Sequence, residues 1–324
     1  MKATASAEIA ASFDTLKARP VRNLWRDAAR RLVKNRLSAI GLVVVGIFVF
    51  CALFGPYISP YDFLEQNIAE KLQPASLKHL MGTDAVGRDI FSRILYGART
   101  AFIVGFTTTF ISLLIGIALG SLAGFLGGRV DTFISWLTDV TMSVPGILLA
   151  MLVNTAIKRP IAAWFDYMYS QTGNKFYLNT LWLDFVLVFG ALALVSWPGY
   201  CRLIRGQVLS VGKQLYVEAA RCVGGSTRHI MVRHVIPNAI GPLIVAVTQG
   251  VGGAIVLESS LSFLGVGVQP PNASWGSMLN NSLSLWRTYP HLMFYPAATI
   301  GVIMIAFTWL GDGLNDALNP RQTR

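Results

Sequence analysis

Residues 38–60 read SAIGLVVVGIFVFCALFGPYISP, without one charged side chain. A helix of roughly 20 apolar residues crosses the ~30 Å hydrocarbon layer of a bilayer. Lipid supplies no partners for backbone N–H and C=O groups, so a segment buried there must satisfy them internally, as a helix does. The run therefore predicts a membrane-spanning helix. Residues 101–126, 133–157, 183–200, 240–263 and 292–310 are further candidates, which makes six spans. The third is interrupted by Asp139 and Pro145. A carboxylate at that depth is expected to find a partner inside the bundle.

Composition agrees with this class. Of 324 residues, 53% are hydrophobic and 13% charged, against about 25% charged in soluble domains. The net charge of +11 raises the question of nucleic acid. Placement answers it. Six crossings return the chain to its starting side, and that side collects eighteen of the 27 Lys and Arg residues. In residues 61–100, on the other side, five basic residues are matched by five acidic ones. Cations accumulate on the cytoplasmic face of membrane proteins, so both termini and the segment 201–239 are expected in the cytoplasm. The excess charge expresses topology, and no nucleic acid is expected.

The layout that follows has a basic amphipathic tail (1–37), a first span (38–60), and an outer segment with an interfacial helix (61–100). A core of five spans (101–311) carries an outer insert at 158–182, and a short cytoplasmic tail (312–324) ends the chain. The first 36 residues hold nine Lys and Arg and no apolar signal-peptide core, so the first span is expected to remain as an anchor. Cys51, Cys201 and Cys222 show no metal-type spacing, and no metal site is expected.

Smaller patterns refine this layout. Leu24, Ala28 and Leu32 recur at helical spacing among arginines, the pattern of a helix lying on a lipid surface. Gly116, Gly120 and Gly124 strip side chains from one stripe of the second span, which lets another backbone approach. Trp164, Tyr167, Tyr169, Tyr177 and Trp182 in the insert are expected as an interfacial aromatic belt. Asp89 and Arg93, four residues apart, are expected to pair on a helix leading into the second span. A turn and helix cap are expected at Gly82, Thr83 and Asp84.

One stretch is different in kind: residues 215–238, LYVEAARCVGGSTRHIMVRHVIPN, are polar, basic and helix-prone in a chain of apolar runs. Leu215, Ala219 and Val223 share one helical face, with Glu218, Arg221 and Cys222 offset from it. Gly224 and Gly225 allow a left-handed turn, Ser226 or Thr227 can cap a second helix, and Pro237 prevents its uninterrupted continuation. The prediction is a helix, a tight turn and a helix returning to the fifth span. Tethered so closely to the membrane, such an elbow could hardly reach a DNA duplex. It suits a partner protein instead.

EAARCVGG followed by RHVIPN resembles the EAA motif of ABC-importer permeases, with Glu218, Ala219, Ala220, Gly224 and Pro237 at the matching places. MGTDAVGRDIFSRILYGART, ESSLSFLGVGVQPPNASWGSML and GDGLNDALNPR are similar to the dipeptide, oligopeptide and nickel permeases of that family. His234 and Ile236 depart from the general motif and follow the peptide-importer form. The resemblance implies an all-α polytopic protein of the type I ABC importer permease fold, in a bacterial inner membrane. It implies a second, homologous permease, two cytoplasmic ATPase subunits and a periplasmic solute-binding protein as partners. Glu218, Ala219, Ala220, Arg221, Gly224, Gly225 and Pro237 would then couple the spans to the ATPase.

No catalytic residue is assigned. The nearest approach to a phosphate loop, GQVLSVGKQ at 206–214, has one residue too many between its glycines, and Gln214 stands where the Mg²⁺-binding hydroxyl belongs. ATP and Mg²⁺ are therefore expected on the partner subunits, with no cofactor on this chain. Asp139, Ser143 and Asn154 are candidates for the translocation path, and Glu258 for a gate facing the partner or the path. The rival reading is an ion-coupled secondary transporter using Asp139 and Glu258. It predicts an inverted repeat, which the sequence does not display.

Overall fold

The computed structural model describes residues 24–177, 181–268 and 272–318. Most of the basic tail, the last six residues and the side chains of Leu24, Ala28 and Trp182 lie outside them. The described chain is helical: α1 (Leu24–Lys34), α2 (Arg36–Ile58), α3 (Ile90–Leu126), α4 (Gly128–Ser143), α5 (Gly146–Thr172), α6 (Leu181–Val211), α7 (Leu215–Cys222), α8 (Thr227–Ile230), a π-helical turn (Met231–Val235), α9 (Ile236–Ala239), α10 (Gly241–Phe263), α11 (Trp275–Asn281) and α12 (His291–Leu318). Six of these, α2, α3, α5, α6, α10 and α12, are long and apolar enough to cross a membrane. Below, the side carrying the ends of α2 and α12 nearest the termini is the tail side.

Local chemistry sets the helix ends. Asn35 caps α2 by accepting from the Leu37 N–H at 3.1 Å. Asp89 caps α3, its Oδ2 accepting from the Ser92 N–H and hydroxyl, both at 2.7 Å. With no proline inside, α3 runs 37 residues, about 55 Å at 1.5 Å per residue. The expected interfacial helix and second span are thus one continuous rod. Gly127, at φ +65°, ends it.

The third expected span divides. Val144 is extended (φ −95°, ψ 133°) because the ring of Pro145 disfavours helix at the preceding residue. Pro145 then caps α5, which continues to Thr172, well into the region expected as the outer insert. Asp139 and Ser143 consequently belong to the short α4. The expected pairing of Asp89 with Arg93 is also absent, since the Asp89 carboxylate is taken by Ser92 and by His79 Nδ1 at 2.9 Å.

The bundle core forms where α3 meets α6. A Cβ on Gly116 would lie 2.5 Å from Tyr200 Cβ, and one on Gly120 would lie 2.5 Å from the Cys201 carbonyl oxygen. At Gly124 the Arg205 carbonyl would stand 2.9 Å away. The glycine stripe therefore does what its spacing predicts. Close backbone approach maximises dispersion contacts where lipid offers no hydrophobic drive for helix association. On the opposite face of α3, Trp275 of α11 lies against Gly97 and donates through Nε1 to the Ile94 carbonyl at 3.0 Å. On the tail side, Leu32 of α1 and Ser38 of α2 pack over Gly313 of α12.

Candidate functional site

The elbow at 201–239 begins as α6 runs out. The N–H groups of Gly212, Lys213 and Gln214 turn back to Val208, Ser210 and Val211. Gln214 is extended, and α7 starts at Leu215. Val223 caps its C-terminus, and a two-bond lock follows: the Gly225 N–H reaches the Ala220 carbonyl, and the Gly224 N–H the Arg221 carbonyl, each at 3.0 Å. This is a Schellman turn, and it demands the left-handed conformation at Gly224, whose φ is +83°. Gly225 is needed for room, since a Cβ there would stand 2.8 Å from the Ala220 carbonyl oxygen.

Of the two candidate caps, Ser226 is the one used, its hydroxyl accepting from the His229 N–H at 3.3 Å. The helix then widens into the π-turn Met231–Val235 before Pro237. Pro237 has no N–H to give and its ring crowds the preceding turn, so a wider turn accommodates it. Asn238 donates to the His234 carbonyl at 2.7 Å in the same turn.

The packed face of α7 is not the one its periodicity suggests. Leu215 and Val223 are 83% and 85% exposed, and Ala219 is exposed with them. Val217 is fully buried instead. With half-buried Ala220 it joins Ile204, Val208, Ile230, Val235, Ala239 and Leu243 in one apolar cluster that also takes in Leu113, Ile117 and Phe125 of α3. Arg221 lies over the Phe125 ring at 5.6 Å, a cation–π contact that ties α7 to the end of α3. The Glu218 side chain is exposed, in the first turn of α7, and makes no hydrogen bond or ion pair among the described residues. One face of the elbow is fused to α3, α6 and α10. The other presents Leu215, Tyr216, Glu218, Ala219 and Val223 outward.

The candidate path and gate residues do not meet. Asp139 pairs with Arg202 of α6 at 2.5 Å, both side chains largely exposed, which replaces the expected partner within the bundle by one at its surface. Ser143 donates to the Val140 carbonyl at 2.7 Å in its own helix. Asn154 is buried in α5 and donates to the Val266 carbonyl. Glu258 is 1% exposed inside this chain, where it was expected to face a partner or the path. Its Oε1 accepts from Ser262 at 2.6 Å and from Ser274 at 2.8 Å, and its Oε2 from Ser259 at 3.4 Å. Asn154 and Glu258 fasten the loop between α10 and α11.

Two clusters were not visible in the sequence. Arg205 donates to both carboxylate oxygens of Asp131, and these bonds hold the Asp131 carboxyl below the usual carboxylate range. On the opposite side, the Lys78 ammonium first and His79 next hold the Glu70 carboxyl low. Asp131 and Arg205 are 74 residues apart.

A family model described as "Binding-protein-dependent transport system inner membrane component" matches residues 116–324. One described as "N-terminal TM domain of oligopeptide transport permease C" matches residues 23–75. The chain is 35% identical to the oligopeptide transport system permease protein OppC of Bacillus subtilis over 92% of its own length and 90% of that protein's. It is 36% identical to the dipeptide transport system permease protein DppC of the same organism, over 96% and 90%. With the glutathione transport system permease protein GsiD of Escherichia coli it shares 35% identity over 93% and 92%.

Proposed function

The chain belongs to the family of binding-protein-dependent transport system inner membrane components, and from that premise we propose that it is the permease subunit of an ATP-driven importer, moved through its 215–239 elbow. The observation that carries the coupling role is the two-faced α7. Val217 and Ala220 anchor it to the ends of α3, α6 and α10, while Leu215, Glu218, Ala219 and Val223 are exposed on its other side. A push on the outward face is thereby delivered to three spans. The tightly closed turn at Gly224 and Gly225 keeps the elbow stiff enough to transmit it.

In this reading a cleft of a cytoplasmic ATPase subunit holds α7, and ATP and Mg²⁺ sit in that partner. Two such ATPases work with this chain and a second, homologous permease. ATP binding draws the elbows together and rotates the spans, so that the cavity between the permeases opens toward a periplasmic binding protein. Both termini are cytoplasmic, on the cation-rich side. The solute is a peptide or a related small molecule, in keeping with the relatives named for oligopeptide, dipeptide and glutathione transport. An ion-coupled mechanism through Asp139 and Glu258 is disfavoured, because one lies at the surface with Arg202 and the other is enclosed by serines.

A cysteine placed at Ala219, in a chain whose Cys222 is replaced by serine, tests the assignment by crosslinking in the assembled complex. Adducts to an ATPase subunit, changing in yield with ATP, are expected. A label that reaches only lipid or solvent overturns the coupling role.

A further inference from the structure

The side opposite the tails contains a cavity of about 330 Å³, lined by the 84–88 turn, the first turn of α3, α11 with the turn after it, and Leu292 of α12. Arg93 lines it while only 3% exposed. Among the described residues its guanidinium makes one hydrogen bond, from Nη1 to the Phe63 carbonyl at 3.4 Å. Neither nearby carboxylate is available to it. Asp89 is occupied by Ser92 and His79. Asp84 accepts from Arg88 Nε at 2.7 Å and from the N–H groups of Val86 and Arg88 at 3.0 and 2.9 Å. Arg88 itself lines the same cavity, as does Asn281. Among the lining residues, two guanidinium groups and one committed carboxylate leave an excess of one positive charge, with guanidinium donors to spare.

We propose that this cavity binds a phosphate group, held by Arg93 and Arg88 with the Asn281 amide beside them. Guanidinium forks fit phosphate oxygens in pairs. Donors arriving from three separate segments suit its tetrahedral oxygens better than a planar carboxylate. A singly charged phosphate balances the excess charge. The cavity lies where α3 and α12 begin, beside the ends of apolar spans, so the group can come from a lipid headgroup or from free phosphate.

The experiment uses the whole complex containing this chain, delipidated in an uncharged maltoside detergent. Amide exchange of residues 84–93 is followed while inorganic phosphate replaces chloride at constant ionic strength and, in a second arm, while phosphatidylglycerol is added. Saturable slowing by inorganic phosphate identifies a soluble ion as the source, and slowing by the lipid alone identifies a headgroup. In either case Arg93→Gln raises the midpoint about tenfold, as loss of a charge-assisted pair of bonds requires. Should that variant fail to assemble, Arg88→Gln carries the comparison, with a rise of about threefold from loss of the second fork. No saturable slowing of the unmutated complex in either arm, or an unchanged midpoint in the variant measured, overturns the site.

Discussion

Glu258 and Ser274, sixteen residues apart, meet at 2.8 Å between carboxylate and hydroxyl, and their bond closes the end of α10 onto the first residues of α11. Ser262 shares the same carboxylate oxygen. Glu258→Leu would leave three buried hydroxyls without their acceptor. Unpaired buried groups cost about 1 to 3 kcal/mol each before relaxation. The expected net loss is about 2 to 4 kcal/mol, seen as a lower thermal midpoint of the purified complex. Glu258→Gln, which keeps an acceptor oxygen, should lose less than half as much. Equal midpoints for the two variants would remove the stapling role.

Gly224 and Gly225 are adjacent but constrained for different reasons, and substitution separates them. Nothing lies within 4 Å of a Cβ at Gly224, so its cost is conformational, about 1 to 2 kcal/mol for a left-handed residue. Gly224→Asn should be milder than Gly224→Val, because Asn tolerates that region. Gly224→Val is expected to leave the chain inserted and abundant while abolishing substrate-stimulated ATP hydrolysis by the complex. Unimpaired stimulation would count against the elbow as the coupling element. Gly225→Ala should instead disturb α7 directly through the Ala220 carbonyl, lowering the yield of assembled complex.

Contact between α3 and α6 predicts a sharp contrast between glycines. Gly120→Leu places a side chain where the Cys201 carbonyl oxygen is already 2.5 Å from a Cβ, and it should prevent stable assembly. Gly46→Leu in α2 has nothing within 4 Å and should accumulate like the unmutated chain. Membrane-fraction abundance and protease resistance decide between them. A tolerated Gly120→Leu would mean that the two helices do not pack this closely.

The Asp131–Arg205 pair sets an acid limit at the tail side. Hydrogen bonds from Arg205 lower the Asp131 pKa in the folded chain. The resulting stabilisation is complete above the unfolded carboxylate value of about 3.9 and is lost as pH falls through the folded value. Both side chains are partly exposed, so the pair contributes about 0.5 to 1 kcal/mol. Asp131→Asn should lower the thermal midpoint by a constant amount between about pH 5 and 8, and the difference should close below about pH 4. A difference that widened on acidification would contradict the assignment.

The residues that the sequence reading placed well are those whose requirement is local. Gly116, Gly120 and Gly124 had to lie on one helical stripe, and any close neighbour would use them. Ser226 and the Gly224–Gly225 turn follow from what caps and left-handed turns require. Misplaced residues shared another property. Arg93 was paired with Asp89 by spacing alone, but Asp89 is the cap of α3 and spends its carboxylate on Ser92 and His79. Asp139 was put within a span because apolar residues surround it, whereas Pro145 cuts that span and leaves it on α4, opposite Arg202.

The amino-acid order by itself determined the helical class, the six crossings, the turn of the elbow and the family, because lipid and backbone geometry act on each short stretch independently of its neighbours. Only the folded chain decided that Val217 rather than Leu215, Ala219 and Val223 would be buried, that Glu258 would be enclosed by serines, and that Arg93 would line a cavity. Those outcomes depend on which distant surfaces come together: a side chain is buried by the neighbour whose shape accepts it, and periodicity names the faces of a helix without saying which will be covered.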